Sequence, residues 1–235
     1  MRRPPEIKPD NLVRYYPMGQ SPATDLGPNG FDLTAVGTPS TIQGRIDEAV
    51  DFDGSTDAYK DALEAADKVQ ALTYAAWIYP DVLSGVQELI NGNPEGAGGD
   101  GRGYRLSLNG SNVSASKGEG TGSFVSLVGA GTLSTGGWVH VASTFDNSVG
   151  MKVFVNGVED GSNADTTNIE WTDSGVGPSP GQFYLSGARD NSAGTDPNLS
   201  FFNGRICETR AYDVALTAGE IRALMQTTRQ QVMYA

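Results

Sequence analysis

A tryptophan, the chain's single histidine and an aspartate stand together in GGWVHVASTFD, residues 136–146. Histidine titrates near neutrality and is the commonest general acid or base, so His140 is the first residue to weigh for catalysis. It would need a nucleophile or a carboxylate to work with. No GxSxG elbow occurs, and Ser186 in LSG sits at a strand end rather than on a strand-to-helix turn. Alternation in a strand puts Trp138, His140, Ala142 and Thr144 on one face and Val139, Val141, Ser143 and Phe145 on the other. Both faces carry apolar groups, so the strand reads as central and covered, and His140 as part of a scaffold. A second group, Trp171, Arg189, Asp190 and Asn191, reads as a polar and aromatic rim at loop ends that could bind a ligand, or as ordinary solvated loop.

The elements that position these residues are short. The chain has 235 residues, with 31 glycines and 12 prolines, which is more turn chemistry than a helical protein uses. From Phe31 onward the segments FDLTAV, EAVDFDG, LTYAAWIYP, QELING, YRLSLNG, NVSASK, FVSLVG, WVHVASTF, MKVFVNG, QFYLSG and GRICETRAY alternate with turns. This spacing predicts an all-β, two-sheet antiparallel sandwich, because β/α proteins would show helices between the strands. In MKVFVNGVEDG, Asn156-Gly157 supplies the positive φ of a tight hairpin. Two segments read as helical. DALEAADKVQ, residues 61–70, offers one or two turns. LTAGEIRALMQ has Thr217 as N-cap with Glu220 three residues on, a capping box, and Leu216 poised to staple onto Ile221. Ile221, Leu224 and Met225 line one face, which predicts a short C-terminal helix lying on the sandwich.

Residues 1–20 contain Pro4, Pro5, Pro9 and Pro17, which discourage regular pairing, and read as an arm preceding a sandwich over 21–235. Val13, Tyr15, Tyr16 and Met18 would then bury themselves against a neighbouring subunit, as an assembly arm. The glycine-rich stretches NGNPEGAGGDGRG and SKGEGTGS precede no helix, which argues against a phosphate-binding loop. A net charge of −12 with no basic run argues against nucleic acid as a partner. Cys207 is the one cysteine, so neither an internal disulfide nor a cysteine-based zinc site can form. No apolar run has the length of a signal peptide or of a membrane span, so no membrane insertion is expected, and synthesis in a cytoplasm is.

EAVDFDGSTDAY, LTYAAWIYPD, GGWVHVASTFDNSVGMKVFVNG, FYLSG and FFNGRICETRAYDVALTAGEI follow, in order, a pattern that resembles laminin-G-like domains of the concanavalin A-like lectin/glucanase superfamily, over roughly residues 20–226. The resemblance implies a jelly roll, with the tryptophan and histidine of the opening strand as framework residues. It also implies how function divides: lectins, adhesive or structural modules, and hydrolases. Hydrolases on this architecture resemble one another in a Glu-x-Asp-x-Glu strand, and here Asp51 and Asp53 have no glutamate to complete it. A non-enzymatic chain is therefore expected. Many relatives hold a structural calcium, for which DLGPNGFD (25–32), DFDGSTD (51–57) and DNSAGTD (190–196) offer oxygens, although none has EF-hand spacing. Relatives place an aspartate before the closing glutamate, where this chain has Cys207. The start MRRPP joined directly to a sandwich resembles laminin-G-like proteins among phage structural proteins. The expectation is a structural or binding module on a virion surface, a capsid decoration contacting other virion proteins, copies of itself and host glycans. Alternatives are a free, extracellular carbohydrate-binding lectin and, less in keeping with the residues, a glycoside hydrolase.

Overall fold

A computed structural model describes residues 6–18, 23–93, 101–120, 122, 124–172, 181–187 and 200–230, the last four of these without their side chains. In chain order its strands are β1 (Leu12–Tyr16), β2 (Thr34–Val36), β3 (Ser40–Gln43), β4 (Glu48–Asp53), β5 (Ala58–Ala62), β6 (Ala71–Pro80), β7 (Val86–Asn93), β8 (Tyr104–Asn109), β9 (Asn112–Gly118), β10 (Phe124–Thr132), β11 (Val139–Asp146), β12 (Gly150–Val155), β13 (Val158–Asn163), β14 (Gln182–Leu185) and β15 (Asn203–Tyr212), followed by helix α1 (Ala218–Gln230). They form two antiparallel sheets. One runs β13-β12-β11-β6-β15-β4-β3 with β1 also paired to β15, and the other runs β10-β9-β8-β7-β14-β5-β2. The expected sandwich with a C-terminal helix is what the chain forms.

Period-two alternation decides which side chains meet between the sheets. In β8, Tyr104, Leu106 and Leu108 join the inter-sheet core, together with Val113 and Ala115 of β9 and Phe183 and Leu185 of β14. From the other sheet come Leu72, Tyr74, Ala76 and Ile78 of β6 and Val139, Val141 and Phe145 of β11. The outer face of that second sheet is covered as well. Ala75, Ala142, Phe154 and Tyr212 pack there against Leu216, Ile221 and Leu224 of the α1 region and Leu12 and Tyr15 of β1. The capping box forms: the Thr217 N–H donates to Glu220 Oε2 (2.8 Å) and the Glu220 N–H to Thr217 Oγ1 (3.3 Å). Asn156 and Gly157 take φ of 49° and 75°, the left-handed pair that a tight hairpin between β12 and β13 requires.

The 61–70 segment holds one 3-10 turn, Ala65–Asp67, between β5 of one sheet and β6 of the other, in keeping with the one or two turns expected. One expectation needs correction. The arm is not an arm. Leu12–Tyr16 is a strand of the chain's own sheet, with Leu12 opposite Tyr212 and Tyr16 opposite Thr209. Val13, Tyr15, Tyr16 and Met18 are buried in the same chain and cannot serve a neighbour as well. The prolines flank this run instead of interrupting it, so no residue from Leu12 to Tyr16 lacks its N–H. Arg14 explains how a charge enters the core. Its Nε and Nη2 donate to the two oxygens of Asp67 (2.8 and 2.7 Å), and its Nη1 to Asp61 Oδ2 (3.0 Å) and the Tyr16 hydroxyl (2.9 Å). The guanidinium also lies between the rings of Phe31 and Phe183, 4.6 and 4.4 Å from their centroids.

Candidate binding site

His140 is 2% exposed, opposite Trp77 on β6, and the two rings meet edge to face at 5.4 Å. Its backbone is clasped by the hairpin residue Asn156: the His140 N–H donates to Asn156 Oδ1 (3.1 Å) and the Asn156 N–H to the His140 carbonyl (2.8 Å). Burial, with a smaller contribution from the positive charge of Arg210, pushes the imidazole down to about 3. It is a neutral ring built into a covered strand, and its Nδ1 has no hydrogen-bond partner. A folded value below the unfolded one means that the unfolded chain takes up the proton first. Stability should therefore fall as pH drops from about 6.5 towards 3, by up to about 1.4 kcal/mol per pH unit. Glu88, whose value burial raises, acts in the opposite direction, so the contribution is read by difference. Urea unfolding at pH 7 and pH 4.5 should show a smaller acid loss in His140→Ala than in wild type, beside a direct cost of about 1–3 kcal/mol.

The other singled-out residues separate. Trp171 is 8% exposed, belongs to the inter-sheet core and donates its indole N–H to the Val69 carbonyl (2.8 Å), so it is not part of an open rim. A tryptophan buries readily when its one donor finds an acceptor. Arg189, Asp190 and Asn191 lie outside the described residues, as does the loop 190–196. Asp25 accepts N–H groups of Tyr15, Gly27 and Phe31, and Asp53 those of Ser55, Thr56 and Asp57. Burial would raise the Asp53 carboxyl, but these bonds and the Ser55 hydroxyl hold it well below the usual carboxylate range. Asp25 and Asp53 are thus spent on backbone donors, which does not fit a calcium site at either residue. Among the described residues no group of three or more acidic, histidine or cysteine side chains gathers as a metal site. Burial drives the Cys207 thiol up to about 12, an inert small apolar group.

A cleft of about 350 Å³ opens where the β4–β5 turn, the β6–β7 loop and the entry to β15 converge. Its walls are Gly54, Ser55, Val82, Ser84, Val86, Gln87, Ser200, Phe201 and Asn203. Gln87 organises it. Its amide donates to the Val82 carbonyl (3.0 Å) and its Oε1 accepts the Asn203 N–H (2.9 Å), while the Asn203 amide donates to the Asp53 carbonyl (3.1 Å). Ser200 holds φ of 57° and accepts the Glu88 N–H at 2.8 Å. A non-glycine residue in the left-handed region stores strain that the surroundings must hold in place, a pattern common at binding sites. Ser186, also left-handed at 60°, anchors the same corner through Asp57 and Phe202. The walls carry hydroxyl and amide groups beside Val82, Val86 and Phe201, with no titratable side chain among the described residues. They can hydrogen-bond a neutral polyhydroxylated ligand and pack against its apolar face.

On the outer face of the β10–β2 sheet, register sets a polar row that is largely covered, with Tyr184, Asn91 and Ser116 at 0, 5 and 9% exposure. Tyr184, Asn91, Arg105, Ser116 and Ser126 stand opposite one another in turn. Arg105 pairs with the buried Glu88 (3.0 Å) and covers the Phe124 ring at 3.6 Å. Burial raises the Glu88 carboxyl, with Arg105 opposing, and its Oε2 has no partner. Glu88 is the one carboxylate on this face among the described strand residues. Neither cleft nor row was visible in the sequence, since both assemble single serines, glutamines and asparagines from distant strands.

These features define a two-sheet jelly roll with a polar cleft at one end. The profile of the concanavalin A-like lectin/glucanases superfamily, in its laminin-G form, matches residues 53–222, and the chain belongs to this family. Among solved structures, domain 4 of AbnA, a GH43 extracellular arabinanase from Geobacillus stearothermophilus in complex with arabinotriose, is similar at 22% identity and a TM-score of 0.67, over 92% of this chain and 98% of that one. The receptor binding domain of the botulinum neurotoxin C/D mosaic serotype is similar at 15% identity and a TM-score of 0.68, over 93% of this chain and 51% of that one. The binding domain of botulinum neurotoxin DC in complex with SialylT gives 9% identity and a TM-score of 0.69, over 94% and 52%. The chain thus spans about half the length of these toxin domains. At such identities the likeness is one of fold. No curated protein matches the sequence.

Proposed function

We propose that the chain is a non-enzymatic binding module that recognises a neutral saccharide in the rim cleft. The observation that carries this is the cleft itself. Its volume of about 350 Å³ is of ligand size, and its walls combine Ser55, Ser84, Gln87 and Asn203 with the half-buried Phe201 ring. Two-carboxylate hydrolysis needs a pair of acids flanking the bond, whereas the adjoining sheet face offers Glu88 alone among its described residues. The arabinotriose and SialylT held by similar structures support a sugar as the ligand class. For placement we propose the surface of a particle such as a virion, where a net charge of −12 would help crowded copies stay apart.

A glycan array of the purified chain should show binding to a defined set of neutral oligosaccharides. Phe201→Ala should weaken it about tenfold or more while leaving the β-type circular dichroism unchanged, since stacking and packing on an aromatic ring contribute about 1–2 kcal/mol. Binding unchanged in that variant would remove the cleft as the site, and no binding to any glycan would remove the saccharide reading. Co-sedimentation with assembled shells tests the placement separately.

A further inference from the structure

At the pole opposite the cleft, Lys117 of β9 runs through the core and ends among oxygens. Its side chain is fully buried, and its ammonium lies 5.3 Å from the Phe145 ring. Glu119 Oε1 and Asp165 Oδ1 each approach Nζ to 2.9 Å, the Thr167 carbonyl to 2.7 Å, and the Thr167 hydroxyl lies in close contact. An ammonium has three N–H donors, and four oxygens surround this one. Two carboxylates, a hydroxyl and a carbonyl gathered on one point are the donor set of a hard cation, for which direction matters less than charge. The two carboxylates remain partly exposed, at 26% and 31%, which leaves a solvent side where waters could complete a coordination shell.

We infer that these oxygens form a cation cage whose resident occupant is the Lys117 ammonium, and that the cage takes a divalent cation once the lysine is removed. The cage ties the β9 end to the segment after β13, which the Gln70 amide grips from the other side by pairing with both backbone groups of Ile169. The chain therefore closes this pole with its own charge and needs no metal there. The inference is independent of the saccharide reading.

The test is thermal melting of the full chain in EDTA and in millimolar CaCl2, for wild type and for Lys117→Ala. The variant should melt lower in EDTA and recover by roughly 5–10 °C in calcium, well beyond any shift in wild type. Adding Glu119→Gln and Asp165→Asn to Lys117→Ala should abolish that recovery. If Lys117→Ala is unfolded in EDTA, calcium should restore its β-type circular dichroism. A calcium response no larger than wild type's, a recovery that survives the two carboxylate changes, or a variant that stays unfolded in calcium would each overturn the inference.

Discussion

A chain that begins at Ser21 should not hold its fold. It lacks β1, which places Leu12, Val13, Tyr15 and Tyr16 in the core and leads into the buried Met18. Burying such side chains is worth roughly 1.5–3 kcal/mol each, so together they contribute on the order of 10 kcal/mol, comparable to the whole stability of an ordinary domain. The loss has a second part. Without Arg14, Asp67 loses its bidentate partner and Asp61 its ion pair, while Tyr212 and the backbone of β15 lose the strand beside them. Circular dichroism and a thermal melt of the truncated chain would show the result. A cooperative melt within a few degrees of wild type would mean that β1 is dispensable and would reopen the reading of these residues as an assembly arm.

Asp67→Ala should be the most costly single substitution in the charged interior. Asp67 is 5% exposed and Arg14 fully buried. Removing the carboxylate strands part of a guanidinium in the core with only Asp61 and neutral acceptors. Breaking a buried pair in this way costs about 3–5 kcal/mol, which for a chain of this size corresponds to a melting temperature lower by roughly 10 °C. Asp67 also accepts the Glu64 N–H (2.9 Å) at the start of the 3-10 turn, so that turn should loosen too. Arg14→Met in the same background should recover part of the loss, because an apolar side chain no longer needs the missing acid. If the double variant is less stable than Asp67→Ala by the full cost of Arg14→Met alone, the two residues are not coupled.

Legibility in the sequence followed the range of the interactions involved. The Asn156-Gly157 hairpin and the Thr217–Glu220 capping box are set by neighbours within a few residues, and both form as read. The alternation in β8 and β11 names its own core face. His140 was recognisable as scaffold because apolar groups occupy both faces of its strand. The arm was misread because proline counts say where pairing is forbidden, whereas Pro9 and Pro17 bracket a five-residue run free to pair. Trp171 was misread because its acceptor, the Val69 carbonyl, lies 102 residues away. The break in β15 at Glu208, with φ of 55°, is equally hidden. There the strand leaves β4 as its partner on one side and takes up β1, an exchange written in no local pattern. The cleft is the extreme case, since Ser55, Gln87 and Asn203 become neighbours only after three loops meet.

Both ends of the described chain rest on one side of the sandwich. Glu6 is bonded to Arg210 and Tyr212, Lys8 reaches Glu220 of α1 at 3.4 Å, and α1 itself lies on the same outer face. A tether fixed to either end would thus hold the molecule by its back. The opposite sheet, from β10 to β2, would lie on the far side whichever end was fastened, so orientation is decided by where the strands finish.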